Sequence, residues 1–340
     1  MDRRKIVYYH RAPKLYDQRT VKKKLFWYRA KVLTIFVAFC FGYFALSNTS
    51  NKKTEDVLAA RSETATEQVI AIPQFVSALQ NVPLPASGQT AIGTLEQGVI
   101  KYSDNETQAP IASITKIITS LVILEKSPLE LGEKGPAITL NERDKQYFES
   151  YYAKLGTVTG VEIGATMSQY EALQAILLPS SNNMADSLVD RHFSSMDEYL
   201  SYANNFLQQH GLSKTIVADA SGFSPGSKST PTDLIKLGQL ALQNPVLAEI
   251  VAQPNASITV GGDIPNYNPL IHEPDVVGIK PGTTDEAGYC LLMAAKLPDA
   301  SGKQRTFIAA TMGHQDRQEY VQSMKQLLAS SRSALLTAPQ

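Results

Sequence analysis

Apolar positions recur with two different periods along the chain. Residues 90–94 and 99–102 read as strands, and the Leu95-Glu96-Gln97-Gly98 stretch between them makes the pair a predicted hairpin. Strand-like runs return near the other end, at residues 276–280, 289–295 and 306–311. Between the two groups the period is helical. A run from about Ala112 carries Ile114, Ile117, Ile118, Leu121, Val122 and Leu124, apolar on most faces, as in a helix buried inside a domain. Ser168-x-x-Glu171 is a capping box that opens a helix ending before Pro179. Ser195-x-x-Glu198 opens another, closed by Gly211 after His210. Thr230 caps a third, with Pro231 in its first position. A last helix is predicted over residues 317–329.

Strands from both ends of a domain can join one antiparallel sheet, with the helical block inserted between them. The expected fold is therefore α+β: an antiparallel five-stranded sheet covered by helices, a helical lobe, and a cleft where the lobes meet.

A third pattern stands apart. Residues 32–46, VLTIFVAFCFGYFAL, carry no charge. Fifteen residues fall short of the roughly 20 that span a bilayer, but Ala30, a snorkelling Lys31 and the polar residues after Leu46 extend the run. We expect a transmembrane anchor at 30–47, a basic cytoplasmic head at 1–29, a polar linker at 48–72 and the working domain at 73–335. The alternative is a cleaved signal peptide, with Ala45-Leu46-Ser47 as its processing site. Charge sharpens this picture. The chain holds 32 basic and 32 acidic residues, but residues 1–31 hold 11 basic and 2 acidic ones. That flank predicts a cytoplasmic N-terminus, an extracytoplasmic body and a lipid bilayer as partner. The acidic remainder excludes a nucleic-acid partner. The two cysteines, Cys40 and Cys290, form no CxxC, and the five histidines form no HExxH, so neither a metal site nor a disulfide framework is expected.

Three short motifs carry chemistry: Ser113-Ile114-Thr115-Lys116, Ser180-Ser181-Asn182 after Pro179, and Lys280-Pro281-Gly282-Thr283. Two of them recur in part elsewhere, Ser-x-x-Lys at 50–53 and Lys-x-Gly at 154–156 and 236–238. Context separates them. Ser50 lies in the linker, whereas Ser113 and Lys116 share a face in the first turn of a buried helix. A serine hydroxyl is a poor nucleophile until a base takes its proton. A neutral lysine can be that base, and burial or a second cation, for which Lys280 is the candidate, would keep it neutral. The helix N-terminus also aims backbone N–H groups at a developing oxyanion.

These motifs, in this order, resemble those of the penicillin-recognising serine enzymes, and most closely the low-molecular-weight penicillin-binding proteins, the D-Ala-D-Ala carboxypeptidases. PIASITK at 110–116, GLSKT at 211–215, SGFSPGSKSTPTDL at 221–234 and GIKPGTTDEAGYC at 278–290 carry the resemblance. It implies a β-lactamase/transpeptidase-like fold with Ser113 acylated and Lys116 as its base. Ser180 and Asn182 would line the opposite wall, and Lys280, Gly282 and Thr283 would meet the substrate's terminal carboxylate. It further implies peptidoglycan stem peptides as substrates, β-lactam antibiotics as covalent inhibitors and no cofactor or metal. A DD-endopeptidase, a β-lactamase and a non-catalytic penicillin-binding wall sensor are the alternatives. The Glu-x-x-Leu-Asn that β-lactamases use for deacylation is missing between Asn182 and Lys280.

Two positions depart from the family. Ser181-x-Asn183 also fits the second motif, although Ser180 with Asn182 sets Leu188 in register with an apolar position of the next helix. Pro281 replaces the usual Thr, and without an N–H it suits a strand at a sheet edge. His192, His210, His272 and His314 are expected at the surface or in caps, Tyr147, Phe148, Tyr151 and Tyr152 in packing, and Asp285-Glu286 in a turn.

Overall fold

The structure, a computed structural model, describes residues 73–338. Helix α1 (Gln74–Gln80) leads into the hairpin β1 (Gln89–Thr94) and β2 (Gly98–Tyr102). After the short β3 (Ala109–Pro110), a 3-10 turn (Ala112–Ile114) runs directly into α2 (Thr115–Lys126). The helical lobe follows, with β4 (Ala137–Thr139), α3 (Glu142–Ala153), β5 (Thr166–Ser168), α4 (Gln169–Leu177), α5 (Asn182–His192) and α6 (Met196–Gln209). Next come β6 (Lys228–Ser229), paired with β3, then α7 (Pro231–Gln243), α8 (Pro245–Val251) and the hairpin of β7 (Asn255–Ile258) and β8 (Gly262–Pro265). The long strands β9 (Val276–Thr284), β10 (Gly288–Pro298) and β11 (Gln304–His314) and helix α9 (Arg317–Thr337) complete the domain.

The expected sheet forms. Its order is β2-β1-β11-β10-β9 and all its pairs are antiparallel, with Ala91 opposite Ala310 and Thr94 opposite Phe307 joining the first strand to the last. Strand side chains alternate between faces, and the residues divide accordingly. Ala91, Ile279, Leu292, Ala294, Ile308 and Ala310 pack towards α2 and α7. Ile92, Leu291, Met293, Ala295, Phe307 and Ala309 pack on the opposite face with Phe75 of α1 and Met324 and Leu328 of α9. Helix α2 lies inside: every residue from Thr115 to Leu124 is buried.

The caps at Ser168, Ser195 and Thr230 are formed as expected. The expected strands and last helix are too short, because β9 continues through Pro281 to Thr284 and α9 runs on to Thr337. His314 corrects another expectation. It is buried, with Nε2 2.6 Å from Thr311 Oγ1 and Nδ1 3.2 Å from Ser87 Oγ, so it is a core residue. The anchor expected at 30–47, the head and the linker lie outside the described residues. Among the described residues, no helix is long and apolar enough to cross a membrane.

The lobe is held by a pair that links two helices. Asp144 closes the capping box of α3 through the Asn141 N–H and grips Arg191 of α5 with both oxygens, at 2.8 and 2.6 Å. Burial alone would raise the Asp144 carboxyl, but the bonds from Arg191 and from the Asn141 backbone outweigh it and hold the group below its usual range. Asp144→Ala should destabilise the domain by about 2–3 kcal/mol, less than a fully buried pair because Arg191 still touches water. The lowered folded value makes this contribution full above the ordinary carboxylate range and lost as pH falls through the folded value. Urea unfolding of both forms at neutral and acidic pH checks this; equal stability at neutral pH would refute it.

Candidate active site

Ser113 sits in the 3-10 turn at the head of α2, and Lys116 is one turn further on. Lys116 is fully buried. Its Nζ lies 2.8 Å from Ser113 Oγ, 2.7 Å from Asn182 Oδ1 and 2.6 Å from Ser221 O. A carbonyl and an amide oxygen can only accept, so a neutral amine gives them its two protons and turns its lone pair to the Ser113 hydroxyl. Burial lowers the Lys116 amine to about 7, against the opposing charges of Asp219 and Asp186. The amine is thus neutral in a large share of molecules near neutral pH.

The second motif resolves its own register. Ser181 Oγ bonds Asn183 Oδ1 at 2.8 Å, and both accept from the Thr159 N–H, so these two side chains fasten the 159 segment. Asn182 faces the other way, onto Lys116. Ser180 precedes it in the turn between α4 and α5, at φ 68° and 7% exposed. The Ser180 and Asn182 register is therefore the one that meets Lys116.

The third motif lies on β9, the outer strand of the sheet, as expected for a strand that contains Pro281. Lys280 is buried with no hydrogen-bond partner for Nζ. Burial, and then the Lys116 charge, push its amine well below the usual lysine range. Of the two causes expected to keep Lys116 neutral, burial is the largest, opposed by the charges of Asp219 and Asp186, and the charge interaction between the two lysines bears on Lys280. Gly282 presses against the Ser113 turn. A Cβ there would lie 2.7 Å from Ile111 O and 3.0 Å from Ser113 N. Only glycine lets β9 approach that backbone so closely.

A cleft of about 480 Å³ opens between the lobes, lined by Ser113, Asn182, Thr283, Phe223, Lys154 and Glu286 among others. The sequence had not singled out several of its supports. Asp219 accepts from Ser221 Oγ, Ser227 Oγ and the N–H groups of Gly222, Phe223 and Ser224, which shapes the loop that offers Ser221 O to Lys116. Tyr151 packs edge-on to Phe223 and touches Ser221 Oγ at 3.2 Å. Asp285-Glu286 forms the expected turn and also lines the cleft. Among the described residues no group of three potential ligands could hold a metal.

Residues 84–316 match the profile of the Peptidase_S11 family, described as D-alanyl-D-alanine carboxypeptidase. The chain belongs to that family. It is 30% identical over 245 residues to a D-alanyl-D-alanine endopeptidase of Pseudomonas aeruginosa, covering 66% of this chain and 75% of that protein. It is 27% identical over 207 residues to a D-alanyl-D-alanine carboxypeptidase of Streptomyces, covering 56% of this chain and 69% of the relative. The crystal structure of a Streptomyces DD-transpeptidase superposes with a TM-score of 0.66 at 22% identity, over 74% of this chain and 99% of that one. This likeness shows the expected transpeptidase-like fold.

Within this D-alanyl-D-alanine carboxypeptidase family chain, Gly282 leaves no room for a side chain between β9 and the Ser113 turn. Gly282→Ala should force β9 away from Ser113 and cut the rate of acylation by penicillin on the order of 10²-fold, the loss typical of a misplaced oxyanion donor. Stopped-flow acylation checks this; a wild-type rate would contradict the close approach.

Proposed function

We propose that this D-Ala-D-Ala carboxypeptidase-family hydrolase removes the terminal D-Ala of peptidoglycan stem peptides through an acyl-enzyme on Ser113. The observation that carries the reading is the Lys116 amine, buried and lowered to about 7, at 2.8 Å from Ser113 Oγ. Lys116 takes the Ser113 proton as Oγ attacks the carbonyl of the penultimate D-Ala. The oxyanion receives the N–H groups of Ser113 and Thr283. The new ammonium returns its proton to the leaving amine of the last D-Ala, with Asn182 and Ser180 beside it. Water then breaks the ester and restores Ser113. Lys280 has an unpaired buried amine, and a substrate carboxylate beside it would satisfy that amine and favour its charged form. β-lactams mimic this substrate and stop at the acyl-enzyme. The segment 30–47 holds the domain on the outer face of the membrane.

Endopeptidase action on cross-links uses the same steps, and the relatives named endopeptidase in Pseudomonas aeruginosa and Escherichia coli favour it as the second reading.

Mass spectrometry after incubation with labelled penicillin should find the adduct on Ser113; an unlabelled Ser113 in folded protein would reject the assignment. Release of D-Ala from pentapeptide supports the first reading, and cleavage of cross-linked dimers without it supports the second. Because neutral Lys116 is the active form, the acylation rate should rise with pH and level off above about 7. A profile flat from acid to neutral pH would contradict the lysine base. Pro281→Thr should change urea stability by no more than about 0.5 kcal/mol, since an edge strand has one unpaired side, with any effect falling on acylation instead. A loss of several kcal/mol would show that the position is paired.

A further inference from the structure

Asp186 belongs to none of the three motifs. It follows Asn182 by one turn of α5, and residues spaced by four share a helix face. Asn182 spends its oxygen on Lys116, so that face looks towards the amine. Asp186 is 9% exposed, and its Oδ1 is buried without a partner. Asp219, the other carboxylate near Lys116, is saturated by its own loop. The remaining titratable or charged groups around this cluster are Lys280 on β9, Tyr151 on α3, Lys154 just beyond α3 and Tyr199 on α6. Tyr151 lies beside Asp186 and reaches the same Ser221 that holds Lys116.

We propose that Asp186 is a positioning residue for proton transfer at Lys116, its buried carboxylate stabilising the ammonium that forms when Lys116 takes the Ser113 proton. The inference rests on the function proposed above. The proton moves from Ser113 Oγ to Lys116 Nζ and on to the leaving amine; Asp186 never receives it. An ion beside an ammonium in a dry site is strongly felt, because little water screens it. Burial raises the Asp186 carboxyl to about 6, while Lys116 stands at about 7, so above that range Asp186 is ionised and Lys116 neutral. This is the pairing that proton transfer from Ser113 needs.

The test is the pH profile of acylation by penicillin, measured on the full-length chain. Without the carboxylate, the Lys116 ammonium loses a stabilising charge and deprotonates more readily. In Asp186→Asn the rising limb should therefore move to lower pH by about one unit. Its plateau should fall by up to about tenfold, because the ammonium formed in the transition state is less stabilised. Asp186→Glu keeps the charge and should keep the limb in place. If the Asn form does not fold, Asp186→Ser removes the same charge from a smaller side chain and should show the same displacement. A limb that stays put in the charge-free variants, whatever the plateau does, overturns the proposal. A wild-type chain that forms no Ser113 adduct overturns the underlying function instead. Adduct formation with an unmoved limb rejects only the role of Asp186.

Discussion

A lysine amine sealed away from water with no carboxylate bonded to it is the constraint on which the site depends. Burying an ammonium without a paired anion costs several kcal/mol, and proteins avoid that cost by releasing the proton. Lys116 is in this position: its partners are a hydroxyl, an amide oxygen and a backbone carbonyl, none of them charged. The environment that makes the amine neutral also aims its lone pair at Ser113. Asp219 and Asp186 pull the other way, and their counterweight leaves the amine near neutrality rather than far below it.

Each lobe supplies part of that enclosure. Helix α2 is buried from Thr115 to Leu124, so the apolar run that makes it a core helix also makes its first turn dry. The lobe brings Asn182 through the turn after α4, and the Asp144–Arg191 pair ties α3 to α5. The sheet brings β9 against the Ser113 turn, and the contact closes only because Gly282 has no side chain. Gly222 meets the same turn from the other loop, where a Cβ would run into the Ala112 carbonyl. Two glycines and one buried lysine thus fix one serine.

Much of this was legible in the sequence, for physical reasons. Thr230-Pro231 and Ser168-x-x-Glu171 are local capping chemistry, and α7 and α4 start where those residues stand. The five strands showed as short runs rich in β-branched and apolar residues, bounded by turn residues. Helix α3 did not show: Asp144 is its single buried residue, so ERDKQYFESYYA carries no apolar stripe. His314 read as a surface or capping residue because its burial comes from α9 and from the 87 segment, which is distant in sequence. The motifs gave Ser113, Lys116, Asn182 and Lys280, but not what surrounds them. Asp186 and Asp219 become neighbours of Lys116 only once α5 and the 219–227 loop have folded around it. The signal available beforehand was the four-residue step from Asn182 to Asp186, which has meaning only if a helix starts at Asn182.

The most direct test of a buried, neutral base is to titrate that base itself. Lysine residues carrying a ¹³Cε label in the full-length chain, with the Lys116 signal assigned by its loss in Lys116→Arg, report the charge of the amine through their chemical shift. The structure predicts an inflection near 7 for Lys116. An inflection near the ordinary lysine value of about 10.4 would contradict it, since the amine would then be charged at neutral pH and could not take the serine proton.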